Sequence, residues 1–172
     1  GSIARRIAEI DACERRPEAG LAILTTTESA VLAGALGGAL LAAAGDREGA
    51  REALTRAGEL ESFAPLAALC LARAASLADH PGERAELLKA ALSRAPTVEA
   101  LRWPRLDVLL ELGDERAARA EAEGVSAIAP LGRRFEVSLR LGNTFLDRGH
   151  PDAAKIWFER ALLFRSEERR VG

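Results

Sequence analysis

Two histidines and a scatter of carboxylates are the residues of this chain that could do acid–base or metal chemistry. His80 and His150 each stand directly before a proline. A residue in front of a proline-initiated helix is well placed to cap it, so N-capping is the favoured role of both. The carboxylates lie on solvated helix faces with Arg or Lys nearby; they include Glu52, Glu83, Glu86, Glu121 and Glu123. No catalytic set is indicated, so we expect neither an enzyme nor a cofactor.

The cysteines, glycines and net charge exclude further classes of site. Cys13 and Cys70 are too few for a disulfide framework and lack metal-site spacing, so we expect both to be core or near-core side chains. No glycine-rich loop follows a strand, which argues against a phosphate-binding loop. The 24 Lys and Arg against 26 Asp and Glu give a net charge of −2. That charge provides no general attraction to nucleic acid or anionic lipid.

An apolar run from Ala30 to Asp46 contains the glycine pair Gly34 and Gly38. Such a run could be a membrane-spanning helix. Its uncharged part would be only about 22 Å long as a helix at ~1.5 Å per residue. A hydrocarbon core is roughly 30 Å thick. The GxxxG pattern indicates helix association only inside a genuine span. The run is better explained as one helix of a helix pair, and no membrane span is expected.

Turn residues recur along the chain at a nearly constant interval. Gly45, Asp79, Gly113 and Gly149 are separated by 34, 34 and 36 residues. A period near 34 with helical content is typical of a helix-turn-helix solenoid. The residues that follow these turns suit N-caps, and they are Asp46, His80, Asp114 and His150. Prolines 96 and 130 are expected to end second helices.

The repeat resembles the tetratricopeptide repeat (TPR), most closely over residues 135–168. The matching residues are Leu141, Gly142, Phe145, Gly149, Ala154, Phe158, Ala161 and Leu162. The resemblance implies an all-α fold, an α-solenoid of antiparallel helix pairs wound into a right-handed superhelix. Four repeats are expected at about 30–62, 65–96, 98–130 and 135–168. An irregular helix pair at 1–29 would precede them, and 169–172 would form a tail.

Close packing explains the small residues of this pattern. A small residue on the first helix lets the second approach, and alanines on the second helix receive it. The first-helix residues are Gly38, Ala72 and Gly142; the second-helix alanines are Ala50, Ala57, Ala91, Ala118, Ala154 and Ala161; the larger space-filling residues are Leu41, Leu54, Leu88, Leu109, Phe145 and Phe158. Leu106 and Arg84 depart from the family's preference for small residues. Pro104 should kink or shorten a helix predicted over Val98 to Leu112.

The resemblance also implies a function, because first helices of TPR proteins line a concave groove that holds a partner peptide or helix. The groove positions here are Leu32, Ala35, Ala39, Leu66, Leu69, Arg73, Trp103, Asp107, Leu110, Leu139, Arg140 and Asn143. The family's clamp for C-terminal carboxylates is not matched. An apolar or amphipathic helical ligand fits these residues better, and Trp103 is the favoured hot spot.

Two classes of function stay open at this point. The first is a scaffold that holds protein partners in an assembly. The alternative is a regulatory sensor module that binds a small peptide or ligand for an attached effector domain. A peripheral envelope-assembly component is a third, weaker possibility. A cytoplasmic location is favoured, and a periplasmic one stays open because Gly-Ser at the start and the absence of Met suggest an expressed fragment.

The last helix is expected to present an apolar edge. Within its own pair it would use Ala154, Phe158, Ala161 and Leu162. The edge would then consist of Ile156, Trp157, Leu163 and Phe164. An uncovered apolar edge predicts self-association or contact with a further domain.

Overall fold

Eight α-helices follow one another along residues 30–171, the part of the chain that the computed structural model describes, with side chains at residues 34, 35 and 37–166. The helices are α1 (Ala30–Ala43), α2 (Arg47–Leu60), α3 (Ala64–Leu77), α4 (Pro81–Arg94), α5 (Glu99–Glu111), α6 (Glu115–Ile128), α7 (Arg134–Asp147) and α8 (Pro151–Val171), with a 3-10 turn at Leu131–Arg133. No strand occurs in this range.

The helices fall into two compact units that meet in sequence at Pro96 and Thr97. Unit 1 contains α1–α4 and unit 2 contains α5–α8. Within each unit, every helix packs against the next one along the chain. In the first pair Gly34 faces Ala57 and Gly38 faces Leu54, so α1 and α2 run in opposite directions. The predicted all-α fold of helix pairs is confirmed.

The turns of the first, third and fourth pairs use glycine for a backbone conformation that other residues rarely adopt, whereas the second pair has Asp79 in its turn. Gly45 has a φ of +87°, and its N–H donates to the Ala42 carbonyl at 3.1 Å. The Asp46 N–H donates to the Leu41 carbonyl at 2.9 Å, which completes a Schellman motif. The Asp46 carboxylate then accepts a hydrogen bond from the Gly49 N–H at 2.9 Å. One residue therefore closes α1 and caps α2.

The same arrangement recurs at the third pair. The Asp114 N–H donates to the Leu109 carbonyl, and its side chain accepts from the Ala117 N–H at 3.0 Å. The capping predicted for the two aspartates is confirmed. The capping predicted for His80 is wrong, because its side chain makes no hydrogen bond to the start of α4. Proline at the first position of α4 already fixes the local backbone.

Small residues on the second helices form the packing surface that the repeat pattern predicted. All six alanines are buried, namely Ala50, Ala57, Ala91, Ala118, Ala154 and Ala161. Leu106 is fully buried on α5, so the third pair accommodates a large side chain there. The second pair similarly accommodates Arg84, which is half-buried.

The ends of two helices differ from the sequence expectation. α5 continues through Pro104, which is exposed, and is one residue shorter at each end than Val98–Leu112. α8 extends to Val171 and includes most of the expected tail. The helix pair expected at 1–29, with Cys13, lies outside the described residues.

Replacing Asp114 with alanine is expected to lower the free energy of unfolding of unit 2 by about 1 kcal/mol, the usual cost of losing an N-cap. Asp114→Asn keeps a cap acceptor and should stay close to the wild type. Both tryptophans of the chain, Trp103 and Trp157, belong to unit 2, so urea unfolding followed by tryptophan fluorescence measures the effect. Equal losses in the two variants would show that the cap is not the cause.

Candidate partner-binding surface

The first helices of unit 1 are almost without charge. α1 and α3 are 14 residues each, and Arg73 is the single charged residue among them. Leu69 has 65% of its surface exposed, Arg73 is exposed and Leu66 is half-buried. These three residues follow helical spacing, so they share one side of α3. We call Leu66, Leu69 and Arg73 the α3 face; it is apolar with one cation.

The remaining expected groove residues of unit 1 lie on α1. Ala39 is exposed and Ala35 is half-buried. The structure does not describe the side chain of Leu32, which was also expected in the groove. The exposed part of this surface therefore consists of small and apolar groups.

Unit 2 presents a different surface, in which three contacts join α5 to α7 and to the residues that flank it, Arg133 and Arg148. Glu99 accepts a hydrogen bond from Arg133 at 3.2 Å. The Arg140 guanidinium carbon lies 3.8 Å from the centre of the Trp103 ring. Near the other end of the helices, Arg148 lies 3.8 Å from the Asp107 carboxylate. We call these three contacts the α5–α7 ladder.

Trp103 is the middle rung of this ladder and is mostly covered. Only 8% of its surface is exposed, and its indole N–H donates to Glu99 at 3.1 Å. The expectation of an exposed hot spot at Trp103 is therefore wrong, because Arg140 covers the ring. The accessible groups around it are Arg140, Leu139 and Asn143 on α7 and Asp107 on α5. Leu110, also expected in the groove, is buried.

Glu121 was interpreted from the sequence as part of a solvated helix face, and that interpretation is wrong. Only 3% of its surface is exposed, and its carboxylate lies between two half-buried arginines of α5. Arg102 donates to one oxygen at 2.7 Å and Arg105 donates to the other. One turn further along α6, Gly124 leaves the space that the Arg102 guanidinium occupies. Gly124 is the sequence feature that could have indicated close packing of a large side chain against this part of α6.

The structure describes the surroundings of both a histidine and a cysteine that could do chemistry. His150 packs its ring edge against Phe145, and its Nδ1 lies 3.8 Å from the Glu115 carboxylate. Cys70 is buried as expected, and that burial raises the pKa of its thiol. The part of the chain that the structure describes holds no group of three His, Cys, Asp or Glu side chains that could bind a metal ion.

The final helix exposes different residues from those expected. Only 3% of Trp157 is exposed, so its placement at an open edge is wrong. The position seven residues after the residue that follows each turn is buried at Leu87, Glu121 and Trp157 and half-buried at Ala53. Phe164 is half-buried, with the Arg134 guanidinium of its own pair 5.8 Å from its ring centre.

The remaining residues of α8 complete this correction. Ile156 and Leu163 are exposed as expected. Leu162, expected to face its own partner helix, has 67% of its surface exposed. Among the α8 side chains that the structure describes, up to Ser166, the large apolar ones that are exposed are thus Ile156, Leu162 and Leu163.

Comparisons with known proteins connect this arrangement to one solved fold. No family model matches the chain, and no curated protein matches its sequence. Two crystal structures of MamA, a TPR-like protein, match with 19% sequence identity and TM-scores of 0.63 and 0.64. Each match covers 96% of this chain, and 94% and 88% of the respective MamA chains. The fold is a TPR-like helical repeat.

In the TPR-like fold the first helix of each pair is the one that precedes the turn. By that definition α1, α3, α5 and α7 are the first helices, and they carry the α3 face and the α5–α7 ladder. Among residues 30–171, no helix is long and apolar enough to cross a membrane.

Proposed function

We propose that this chain is a protein-interaction scaffold whose first helices bind a partner peptide or helix. The observation that carries the proposal is the α3 face, on which Leu69 is largely exposed beside the single cation Arg73. An apolar side chain held outward on a rigid helix, with a charge one turn away, suits recognition of an amphipathic helix. The similarity to MamA supports the fold class on which this proposal depends.

The chemistry of the α3 face defines the partner that fits it. Leu66 and Leu69 would contact apolar side chains of the ligand. Arg73 would pair with a carboxylate, since a guanidinium matches a carboxylate in charge and geometry. The expected ligand is therefore an apolar helix that carries at least one acidic residue.

A displayed library of random peptides, selected against the complete chain, tests this proposal. Enriched peptides should be apolar with Asp or Glu, and their affinities can be measured by fluorescence anisotropy. Leu69→Glu should weaken binding at least about tenfold, since one anchor residue of an interface commonly contributes that much. Arg73→Glu should weaken it similarly and shift the selection towards peptides with Lys or Arg.

Lys89→Glu is the matched control, because it makes the same charge change on exposed α4 surface of the same unit. It should leave peptide affinity unchanged. Peptides that bind equally well to all three variants would contradict a site on the α3 face. Failure of any peptide to be enriched would contradict the peptide-binding function.

A further inference from the structure

The last helix pair exposes leucines at positions that are buried on α5 and α2, each of which is followed by another helix pair of its own unit. On α3, the last first helix of unit 1, the positions of Leu139 and Leu146 are held by Leu69 and Ser76, which are exposed. Leu139 and Leu146 are exposed on α7, yet their equivalents Trp103 and Leu110 on α5 are buried. These equivalents are found by counting back from the turn glycines Gly149 and Gly113. Within unit 2, Arg140 of the following pair covers Trp103.

Leu162 completes this edge on α8. It stands twelve residues after His150, as Gly58 stands twelve residues after Asp46. Gly58 is buried, and a Cβ at that position would lie 2.6 Å from Leu71 of the following helix α3. We call Leu139, Leu146 and Leu162 the C-terminal edge; each occupies a position at which a following helix pair can pack.

The first helix pair, in unit 1, offers a concave surface. A cavity of about 730 Å³ lies against α1 and α2. Its lining includes Glu52, Arg56 and Leu60, which are all exposed. We call these three residues the N-terminal edge. Leucine at its end gives this surface an apolar part that can receive the leucines of the C-terminal edge.

The charges of the two edges match a contact already present inside the chain. In unit 2, Arg160 of α8 pairs with Glu123 of α6 at 2.8 Å. Counted from the residue after each turn, Glu123 is at position nine and Arg160 at position ten. Glu159 is the position-nine residue of α8, and Arg56 is the position-ten residue of α2. The pair that joins successive second helices can therefore form between two copies.

A second complementary pair lies one helical turn earlier. Lys155 precedes Glu159 by four residues, and Glu52 precedes Arg56 by four residues. The side chains of Lys155 and Glu52 are both exposed. Parallel packing of α8 against α2 of another copy would thus oppose Lys155 to Glu52 and Glu159 to Arg56. Both pairs have opposite signs, which favours a second copy of this chain over an unrelated helix.

We propose that this protein associates head to tail, with the C-terminal edge of one copy packed on the N-terminal edge of the next. The contact is heterologous, so each copy can take part in two of them. It reproduces between chains the packing that joins consecutive helix pairs within a unit. The proposal is independent of peptide binding on the α3 face.

Sedimentation velocity of the complete chain over a range of concentrations is the test. The wild type should increase in mass with concentration. A variant with Leu146→Glu and Leu162→Glu loses the C-terminal edge, and one with Arg56→Glu and Leu60→Glu loses the N-terminal edge. Each variant alone should be monomeric, whereas an equimolar mixture should give a one-to-one dimer and nothing larger.

Leu163→Glu is the control, because Leu163 is an exposed leucine adjacent to Leu162. Its equivalents Glu59, Ser93 and Ala127 are all exposed, so it is not at a pair-to-pair contact. This variant should associate like the wild type. Combining Glu159→Arg with Arg56→Glu in one chain should preserve association, although Arg56→Glu alone weakens it at least about tenfold.

Three results would overturn the proposal. One is a wild type that stays monomeric at all concentrations. Another is a mixture of the two edge variants that forms no dimer. The third is equal weakening by Leu163→Glu and Leu162→Glu, which would assign association to a different face of α8. Circular dichroism of each variant establishes that the helices are intact.

Discussion

Replacing Glu121 with alanine is expected to lower the free energy of unfolding of unit 2 by about 3–5 kcal/mol, the cost of breaking a buried ion pair from one side. The Glu121 carboxylate accepts hydrogen bonds from Arg102 and Arg105, and almost none of its surface reaches solvent. Its loss removes the anion between two half-buried cations. The urea midpoint, followed by tryptophan fluorescence, should fall sharply.

Two further variants separate the charge effect from simple truncation. Glu123→Ala removes an exposed carboxylate that pairs with Arg160, and it should cost no more than about 1 kcal/mol. Converting Glu121, Arg102 and Arg105 together to leucine should recover much of the stability lost by Glu121→Ala, because apolar replacements of buried ion groups are often tolerated. Equal losses for Glu121→Ala and Glu123→Ala would contradict this account.

Gly142→Leu is expected to destabilise unit 2 by about 3 kcal/mol or more, at or above the upper end of typical overpacking costs. A Cβ at Gly142 would lie 2.5 Å from Cε1 of the Phe158 ring on α8. The half-buried Phe158 ring lies against Gly142, so a larger side chain there would force the ring or the helix α8 to shift. Even Gly142→Ala should destabilise, although alanine in a helix normally gains up to ~1 kcal/mol over glycine.

Gly82→Ala is the matched control for the direction of the stability change on replacing a helical glycine with alanine. Gly82 lies in α4, and nothing stands within 4 Å of the position its Cβ would take. That substitution should be neutral or stabilising in thermal unfolding followed by circular dichroism. An unchanged melting temperature in Gly142→Leu would place the crossing of α7 and α8 elsewhere.

The helix pairs could be predicted from the sequence because their determinants are local and periodic. Gly45, Gly113 and Gly149 fix three turns, and the alanines that follow them at constant offsets give each pair its packing surface. Helix ends were less predictable. Pro104 was expected to kink or shorten α5, yet the helix continues through it from Glu99 to Glu111.

The candidate surface was harder to predict, because exposure depends on contacts between helices that are distant in sequence. Leu69 and Arg73, which the repeat register predicted to face the groove, are both exposed. Trp103 is not, because Arg140 lies 37 residues further on and covers it. Trp157 was predicted at the edge and Leu162 against its own pair from their positions on the last helix, and the exposures of 3% and 67% are the reverse of that prediction.

The turns Gly45-Asp46 and Gly113-Asp114 restrict where residues can be inserted into or deleted from this protein. Since one aspartate ends the first helix and starts the second, these connections contain no spare residue. The connections between pairs vary in length, since three residues separate α2 from α3 and five separate α6 from α7. Insertions and deletions should therefore be tolerated between pairs and rejected within them. A loop or tag intended for this chain belongs near residues 61–63 or 129–133.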